Sequence, residues 1–466
     1  MGRIAASGQI PFIDSHEAKG PIWWYICALG QWFSSDYQLG FFPLVIIIFW
    51  VSIGLLYRIV SQFLPRTVAF CLSMLGSLAW LLPKSPTGVF CPEIFMIPIS
   101  LYLVYLGVKI VHDPGQNLRL WHMGSGILSS IMFWSKFNYV GAFVGFYFSL
   151  IIIWIVRREW ANLRTIAWVA LGFFLITGPL IIFYWVKNGL GQLYQGYFID
   201  NLFYRFSERS TAPLLSFQKL GEILSHIFIQ FGNHFLEVAL IIISSIVFLI
   251  RVKGLSRNPG TWVAVSTVVI TSFCGFVATT WSYQFTPYLG LVALSIAYLV
   301  KQIIFEIHSR RYALLSLGLM LTVFITQTVP LLFSTSASTQ HEQYQVLTDS
   351  INSYSPAPSI ITLTPSGPWA TAIQAIAQSH AVPVGKYWIT SLYNSQQLQR
   401  VNDITNQVGD LLLIRSMNTG TVHTFFDTIS DRTFKVRFPD YILTYYQVRT
   451  AVLINSVPLV LLEKCA

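Results

Sequence analysis

Charge is what this 466-residue sequence has least of. Asp, Glu, Lys and Arg make up 10% of it, against about 25% in an ordinary soluble domain. A soluble protein of this length would be two or three domains with a charged surface, and these residues cannot cover one. Acid is scarcer than base, with 19 Asp and Glu against 29 Lys and Arg. The surplus base nevertheless forms no stripe on a polar segment, which argues against a nucleic-acid partner. Cysteine is sparse as well. Cys27, Cys71, Cys91, Cys274 and Cys465 stand far apart, with no disulfide framework and no metal-ligand spacing. A cleavable signal peptide is also missing: residues 1–20 are polar and hold Arg3, Asp14, His16, Glu17 and Lys19. There is no internal repeat and no low-complexity tract.

What the chain has in quantity is apolar surface. Hydrophobic residues make up 54%, so lipid must solvate much of the molecule. The 15 Trp and 22 Tyr suit the membrane–water boundary. A spanning helix needs about 20 mostly apolar residues. That length predicts about ten spans, at 40–58, 66–82, 91–111, 117–135, 138–156, 162–186, 235–252, 260–280, 283–304 and 312–333. The pair 117–135 and 138–156 is split only by Ser135-Lys136-Phe137, so it reads as two spans or as short re-entrant helices.

Basic residues orient the spans. Arg58 and Arg66, Lys109 and Arg119, Arg157, Arg158 and Arg164, Arg251, Lys253 and Arg257, then Lys301, Arg310 and Arg311 all fall in odd-numbered connections, which are therefore cytoplasmic. Residues 1–39, the long loop 187–234 and the C-terminal region lie outside. The stretch 191–206 places Tyr194, Tyr197, Phe198, Leu202 and Phe206 near helical spacing, as in a helix lying in the outer interface. From about Ser334 polar residues return. Strands are expected at 359–364, 410–415, 433–437 and 447–455, with helices at 369–379 and 394–407, giving a small α/β domain over 334–466. The domains expected are thus 1–39, 40–333 and 334–466.

The densest polar cluster opens the chain. Asp14, His16, Glu17 and Lys19 crowd into six residues ahead of Gly20-Pro21 and the aromatic helix start Trp23-Trp24-Tyr25. A cation beside the head-group layer suits a lipid-linked phosphate. A carboxylate there suits deprotonating an acceptor hydroxyl or binding a metal. The plainer reading is a solvated loop with a snorkelling lysine.

Gly2-Arg3, Gly8, Pro11-Phe12, Asp14, Lys19-Gly20-Pro21 and Leu29-Gly30 resemble the first extracytoplasmic loop of GT-C membrane glycosyltransferases, of the protein mannosyltransferase and aminoarabinose transferase type. The resemblance implies a polytopic helical GT-C fold in the cell membrane, and transfer of a sugar from a polyprenyl-phosphate donor to a glycan, lipid or protein acceptor on the outer face. It implies that Lys19 meets the carrier phosphate and that His16, Asp14 and Glu17 line the cavity. No cofactor is required, although some relatives hold a divalent metal near the position of Glu17. The family's catalytic acid follows a first membrane helix upstream of the Gly-Arg, so a further N-terminal span carrying that acid is expected ahead of Met1.

Three other groups join the candidates. Lys136, Asn138 and Tyr139 stand together; in relatives a lysine followed by a small polar residue suggests phosphate or sugar contact, and snorkelling is the alternative. Tyr283, Gln284 and Tyr288 follow Trp281, where relatives have a His-Tyr-type motif; an aromatic belt also accounts for Trp281 and Tyr283. Arg205, with Asp200, Asn201 and Tyr204, sits on the interfacial helix, where it would guide an acceptor; a polar face on such a helix also needs no function. Gly141-Ala-Phe-Val-Gly145 is a helix-packing motif. The competing functions are a lipid or oligosaccharide transporter and a non-catalytic membrane scaffold. A transporter would put ionisable groups near mid-depth in two related halves, and no such halves are visible.

Overall fold

The computed structural model describes residues 2–15, 19–33, 37–62, 64–77, 91–112, 117–204, 216–251, 259–277 and 282–306, and toward the C-terminus 345, 347–355, 358–363, 376, 379, 381–383, 411–415, 422–429, 432–454 and 457–465. The helices in chain order are α1 (Gly2–Ala6), α2 (Pro21–Phe33), α3 (Tyr37–Val60), α4 (Arg66–Ser77), α5 (Met96–His112), α6 (Arg119–Lys136), α7 (Gly141–Val156), α8 (Thr165–Val186), α9 (Leu190–Leu193), α10 (Phe217–Asn233), α11 (Phe235–Arg251), α12 (Pro259–Gly275) and α13 (Leu289–Glu306). Tight 3-10 turns at Pro92–Phe95, Phe137–Val140 and Ser282–Tyr288 cap or join them. The chain divides into two compact units. One gathers Met1–Phe42, Tyr184–Arg205 and Ser334–Ala466; the other gathers Pro43–Phe183 and Phe206–Phe333.

Among the described residues, five helical stretches are long and apolar enough to cross a membrane: Gly40–Val60, Pro92–Ile110, Arg119–Val156, Trp160–Val186 and Gln284–Ile303. The third is not one straight rod. Tyr147 follows His122 by 25 residues, which in a straight helix would separate them by about 37 Å. The Tyr147 hydroxyl instead lies 3.0 Å from His122 Nδ1. The chain therefore folds back at Phe137–Val140, and α7 returns beside α6. Helix α8 then runs parallel to α6: Gly126 lies against Val169 and Phe173, and further along both helices Ser130 and Trp134 hydrogen-bond the Thr177 hydroxyl at 2.8 and 2.9 Å.

Of the other expected spans, α4 covers twelve described residues of 66–82, and 312–333 lies outside the described residues. The expected outer loop 187–234 has helical structure of its own. It contains α10, which pairs with α11 across a 95° bend at His234, and the two together pass for one broken span or a re-entrant loop. Its polar residues dilute the hydropathy, so length and apolarity alone passed over it. The expected interfacial helix is π-helical from Tyr194 to Tyr204. A π-helix turns more slowly than an α-helix, which sends Asp200 and Asn201 inward beside the buried Tyr197 rather than out to solvent.

In the second unit the core is Met96, Leu103, Leu106, Met132, Tyr139, Phe143, Phe146, Leu150 and Trp154 with Val263. Close approach of α7 and α12 makes this core possible. A Cβ on Gly141 would lie 2.6 Å from Cys274 Sγ, and one on Gly145 would lie 2.8 Å from the Ser266 carbonyl oxygen. Only hydrogen fits at either place, so the small-xxx-small spacing has its packing role here.

In the first unit a five-stranded mixed sheet has the order β2-β1-β3-β7-β6, from β1 (Ser359–Leu363), β2 (Val382–Pro383), β3 (Leu411–Arg415), β6 (Tyr446–Ile454) and β7 (Val457–Lys464). β1 is parallel to β2 and β3, whereas β7 is antiparallel to β3 and β6. A separate hairpin joins β4 (Val422–Ile429) to β5 (Arg432–Pro439). Leu347, Ile351, Ile360, Ile376, Ala381, Leu411 and Leu461 form the core of this region. The expected helices 369–379 and 394–407 fall on residues that are almost all outside the described set.

Gly145→Leu is expected to force α7 and α12 apart. Overpacking of this kind costs about 1–3 kcal/mol, read as a lower thermal midpoint of the purified protein. An unchanged midpoint would contradict the close packing.

Candidate functional site

The N-terminal motif owes its residue types to a small knot of structure in the first unit. α1 lies against α2 so closely that a Cβ on Gly2 would sit 2.4 Å from the Cys27 carbonyl oxygen. Ile4 and Trp24, both fully buried, seal that contact. Arg3, the next residue, donates to the carbonyls of Ile376 and Ala381 at 3.3 and 2.8 Å, which ties α1 to the chain just before β2. Burial lowers the Arg3 pKa from its ordinary value. Gly8 has φ +89, open to glycine at no steric cost, and it turns the chain into the loop 9–15.

That loop is held from several directions. The Phe12 amide donates to the Ser15 carbonyl at 2.6 Å, and the Ser15 hydroxyl donates to Gln9 Oε1 at 2.8 Å. Phe12 has φ 67, a strained conformation for a bulky residue. Its buried ring, 5.7 Å from that of Tyr197, holds it there. The Tyr184 hydroxyl donates to the Pro11 carbonyl at 2.9 Å. Asp14 Oδ2 accepts from the Ile10 amide at 2.6 Å, so the carboxylate is fixed in place. Its charge reaches the Tyr25 phenol, whose pKa is raised first by burial and then by Asp14. Lys19 is half-buried, and its carbonyl accepts from the Trp24 indole at 3.2 Å. His16, Glu17 and Arg205 lie outside the described residues.

The second unit carries its own cluster, where the turn at Pro92–Phe95, the end of α6 and the turn at Ser282–Tyr288 come together. Lys136 forms an ion pair with Glu93. Glu93 has no solvent access, and its second oxygen has no partner among the described residues. The Lys136 ammonium also stands 5.3 Å from the centre of the Tyr139 ring, within cation–π range. The Tyr139 hydroxyl lies 3.5 Å from the Gln284 carbonyl oxygen. Ser135 and Gln284 are buried beside them. Tyr288 is deeper, sharing a 2.8 Å hydrogen bond with the Ser272 hydroxyl.

Lys136, Tyr139 and Gln284 are therefore brought together, whereas Tyr288 belongs to the packed core of Phe276, Phe285 and Val292. Asn138 sits in the adjoining turn. The Tyr283 side chain is outside the described set. Trp281, the other residue for which an aromatic belt was the alternative, also lies outside the described residues; Phe285 and Tyr288 are buried. Sequence reasoning missed Glu93. Its signal was an isolated acid at the start of one expected span, facing an isolated base at the end of another. Among the described residues, no three His, Cys, Asp or Glu gather as a metal would need.

Comparison with models of known protein families finds no match, and no curated protein matches the sequence. A solved structure does match. It is the crystal structure of ArnT from Cupriavidus metallidurans bound to undecaprenyl phosphate, with a TM-score of 0.59 and 11% identity, covering 100% of this chain and 92% of that one. The likeness is one of fold: the chain has an ArnT-like fold.

The ion pair makes a sharp prediction. Lys136→Met leaves the Glu93 carboxylate uncompensated, and breaking a buried pair on one side costs about 3–5 kcal/mol. The double variant Glu93→Gln with Lys136→Met removes both charges and recovers most of that loss. Thermal unfolding of the three proteins checks it; additive losses would mean that the two side chains do not interact.

Proposed function

We propose that the chain is a membrane glycosyltransferase that moves a sugar from a polyprenyl-phosphate carrier to an acceptor hydroxyl on the outer face of the membrane. The observation that carries this reading is the ArnT-like fold along the whole chain, found in a protein that binds undecaprenyl phosphate. The further spans expected from hydropathy, the outer C-terminal α/β domain and the three-domain division of the chain are part of the same reading.

In this reading the acceptor hydroxyl attacks the anomeric carbon, the bond to the carrier oxygen breaks, and the lipid phosphate leaves with inversion at the sugar. A carboxylate takes the hydroxyl proton. Asp14 and Glu17 are the candidates within the chain, and the fixed geometry of Asp14 supports its place in that role. Lys19 is assigned to the carrier phosphate, where a preorganised cation stabilises the charge that grows on the leaving group. Lys136, with Asn138 and Tyr139, is assigned to phosphate or sugar. Glu93 keeps Lys136 neutralised when no phosphate is present, so the lysine can stay in a low-dielectric place without an anionic ligand. His16, Tyr283, Gln284, Tyr288 and Arg205 are assigned to substrate contacts, and Glu17 to a divalent metal if one binds.

Transfer from a panel of polyprenyl-phosphate sugars, with the protein in proteoliposomes, tests the reading. At least one donor should be consumed, and Lys19→Ala should lower kcat/KM by about a hundredfold, the scale for losing one charge-stabilising group. Unchanged transfer in Lys19→Ala would remove the phosphate role of Lys19. A full-length protein that turned over no donor and bound no carrier would remove the reading itself.

A further inference from the structure

The helix pair α10–α11 is built inside out. On α10 the large apolar residues Phe217, Leu220, Leu224, Phe228 and Ile229 are exposed, beside the smaller polar Gln218, Ser225 and Asn233, while Ile227 alone of its large apolar residues is buried. The inward positions carry polar groups at three- and four-residue spacing. These are Lys219, Glu222, His226 and Gln230, continued past the bend by His234 and Glu237. A helix on a water-soluble surface buries its apolar stripe and shows its polar one. The reverse arrangement belongs to a helix with lipid on one side and a polar interior on the other.

Part of that inward face is satisfied internally. Lys219 Nζ pairs with Glu222 Oε2 at 2.9 Å, and His226 Nδ1 lies 3.1 Å from the Phe276 carbonyl oxygen. The rest is not. Gln230 is fully buried, and neither its amide nitrogen nor its amide oxygen has a partner among the described residues. One turn on, the buried His234 ring stacks on Phe285 with centroids 4.2 Å apart and planes 7° from parallel. Its Nδ1 is 3.6 Å from Glu237 Oε1, and its Nε2 has no partner among the described residues. A buried amide left without partners costs stability, and native structures keep such groups for a reason.

The charges on this face say what kind of ligand it suits. Lys219 is paired with Glu222, and Glu237 adds a further negative charge beside His234, so among the described residues this face offers no surplus cation to a phosphate. An amide offers a donor and an acceptor together, which matches a hydroxyl group. The rings of Phe231, Phe276 and Phe285 pack around Tyr288, and that aromatic cluster meets the face where Phe285 stacks on His234. We propose that the inward face of α10–α11 binds a neutral, hydroxyl-rich ligand, a saccharide, held by the Gln230 amide and His234 Nε2. That the saccharide is the acceptor, or the sugar carried by the donor, rests on the transferase reading; the site itself does not.

The test uses the full chain in lipid nanodiscs and two photoactivatable probes of equal alkyl length, an uncharged alkyl glucoside and an alkyl phosphate. The glucoside should cross-link to peptides containing 226–237 and 284–288 in preference to the phosphate. Gln230→Met and His234→Phe should each lower that labelling by about fivefold, the effect of one lost hydrogen bond to a ligand. Gln230→Met should keep or raise the thermal midpoint, because its amide has no partner to lose among the described residues. Equal labelling by both probes, undiminished labelling in the variants, or a lowered midpoint in Gln230→Met would each overturn the proposal. Where transfer is measurable, a raised KM for acceptor in Gln230→Met identifies the acceptor as the saccharide, and a raised KM for donor identifies the carrier-linked sugar. Absence of transfer would count against the transferase reading and leave the labelling result standing.

Discussion

A carboxylate with no access to water cannot stay ionised alone, and the second unit is arranged around that constraint. Glu93 meets it by pairing with Lys136. The pair fixes the start of α5 against the end of α6, at the point where the chain reverses into α7. The turn at Ser282–Tyr288 closes on the same place through Gln284. A well-packed apolar pair would hold these elements at least as firmly. Under the proposed function the charges hold a lysine ready for an anionic ligand rather than serving stability.

The N-terminal knot follows a different logic. It spends backbone strain, at Phe12, to set a carboxylate in a fixed position. Two tyrosines from a distant part of the sequence, Tyr184 and Tyr197, hold the strained loop in place. Gly2 and Gly30 have close backbone neighbours, Gly8 holds a positive φ, and Arg3 has carbonyl partners far along the chain. The pattern thus specifies a shape before it specifies a chemistry.

Long apolar helices were legible because their signal is local: α3, α5 and α8 announce themselves by length and by the charges at their ends. The packing of Gly141 and Gly145 was legible for the same reason. The strands β1, β3, β5 and β6 were visible from alternation, while β4 and β7 were passed over. What the sequence hid was longer in range. Nothing near Glu93 shows that Lys136 is its partner, since the contact spans 43 residues. Helix α10 was hidden because its polar residues point inward, the reverse of the soluble rule by which an amphipathic stretch between spans is read as a surface loop. The inward turn of Asp200 and Asn201 was hidden because π-helical winding changes which residues share a face.

Under the proposed function, Glu93 and a lipid phosphate compete for Lys136. The affinity of purified Glu93→Gln for undecaprenyl phosphate, measured beside the wild-type chain, tests it most directly. Removing a like charge from beside the incoming phosphate should tighten binding by about tenfold. Weaker binding in a folded Glu93→Gln protein would contradict the claim, and would make Glu93 a residue that positions Lys136 for its ligand.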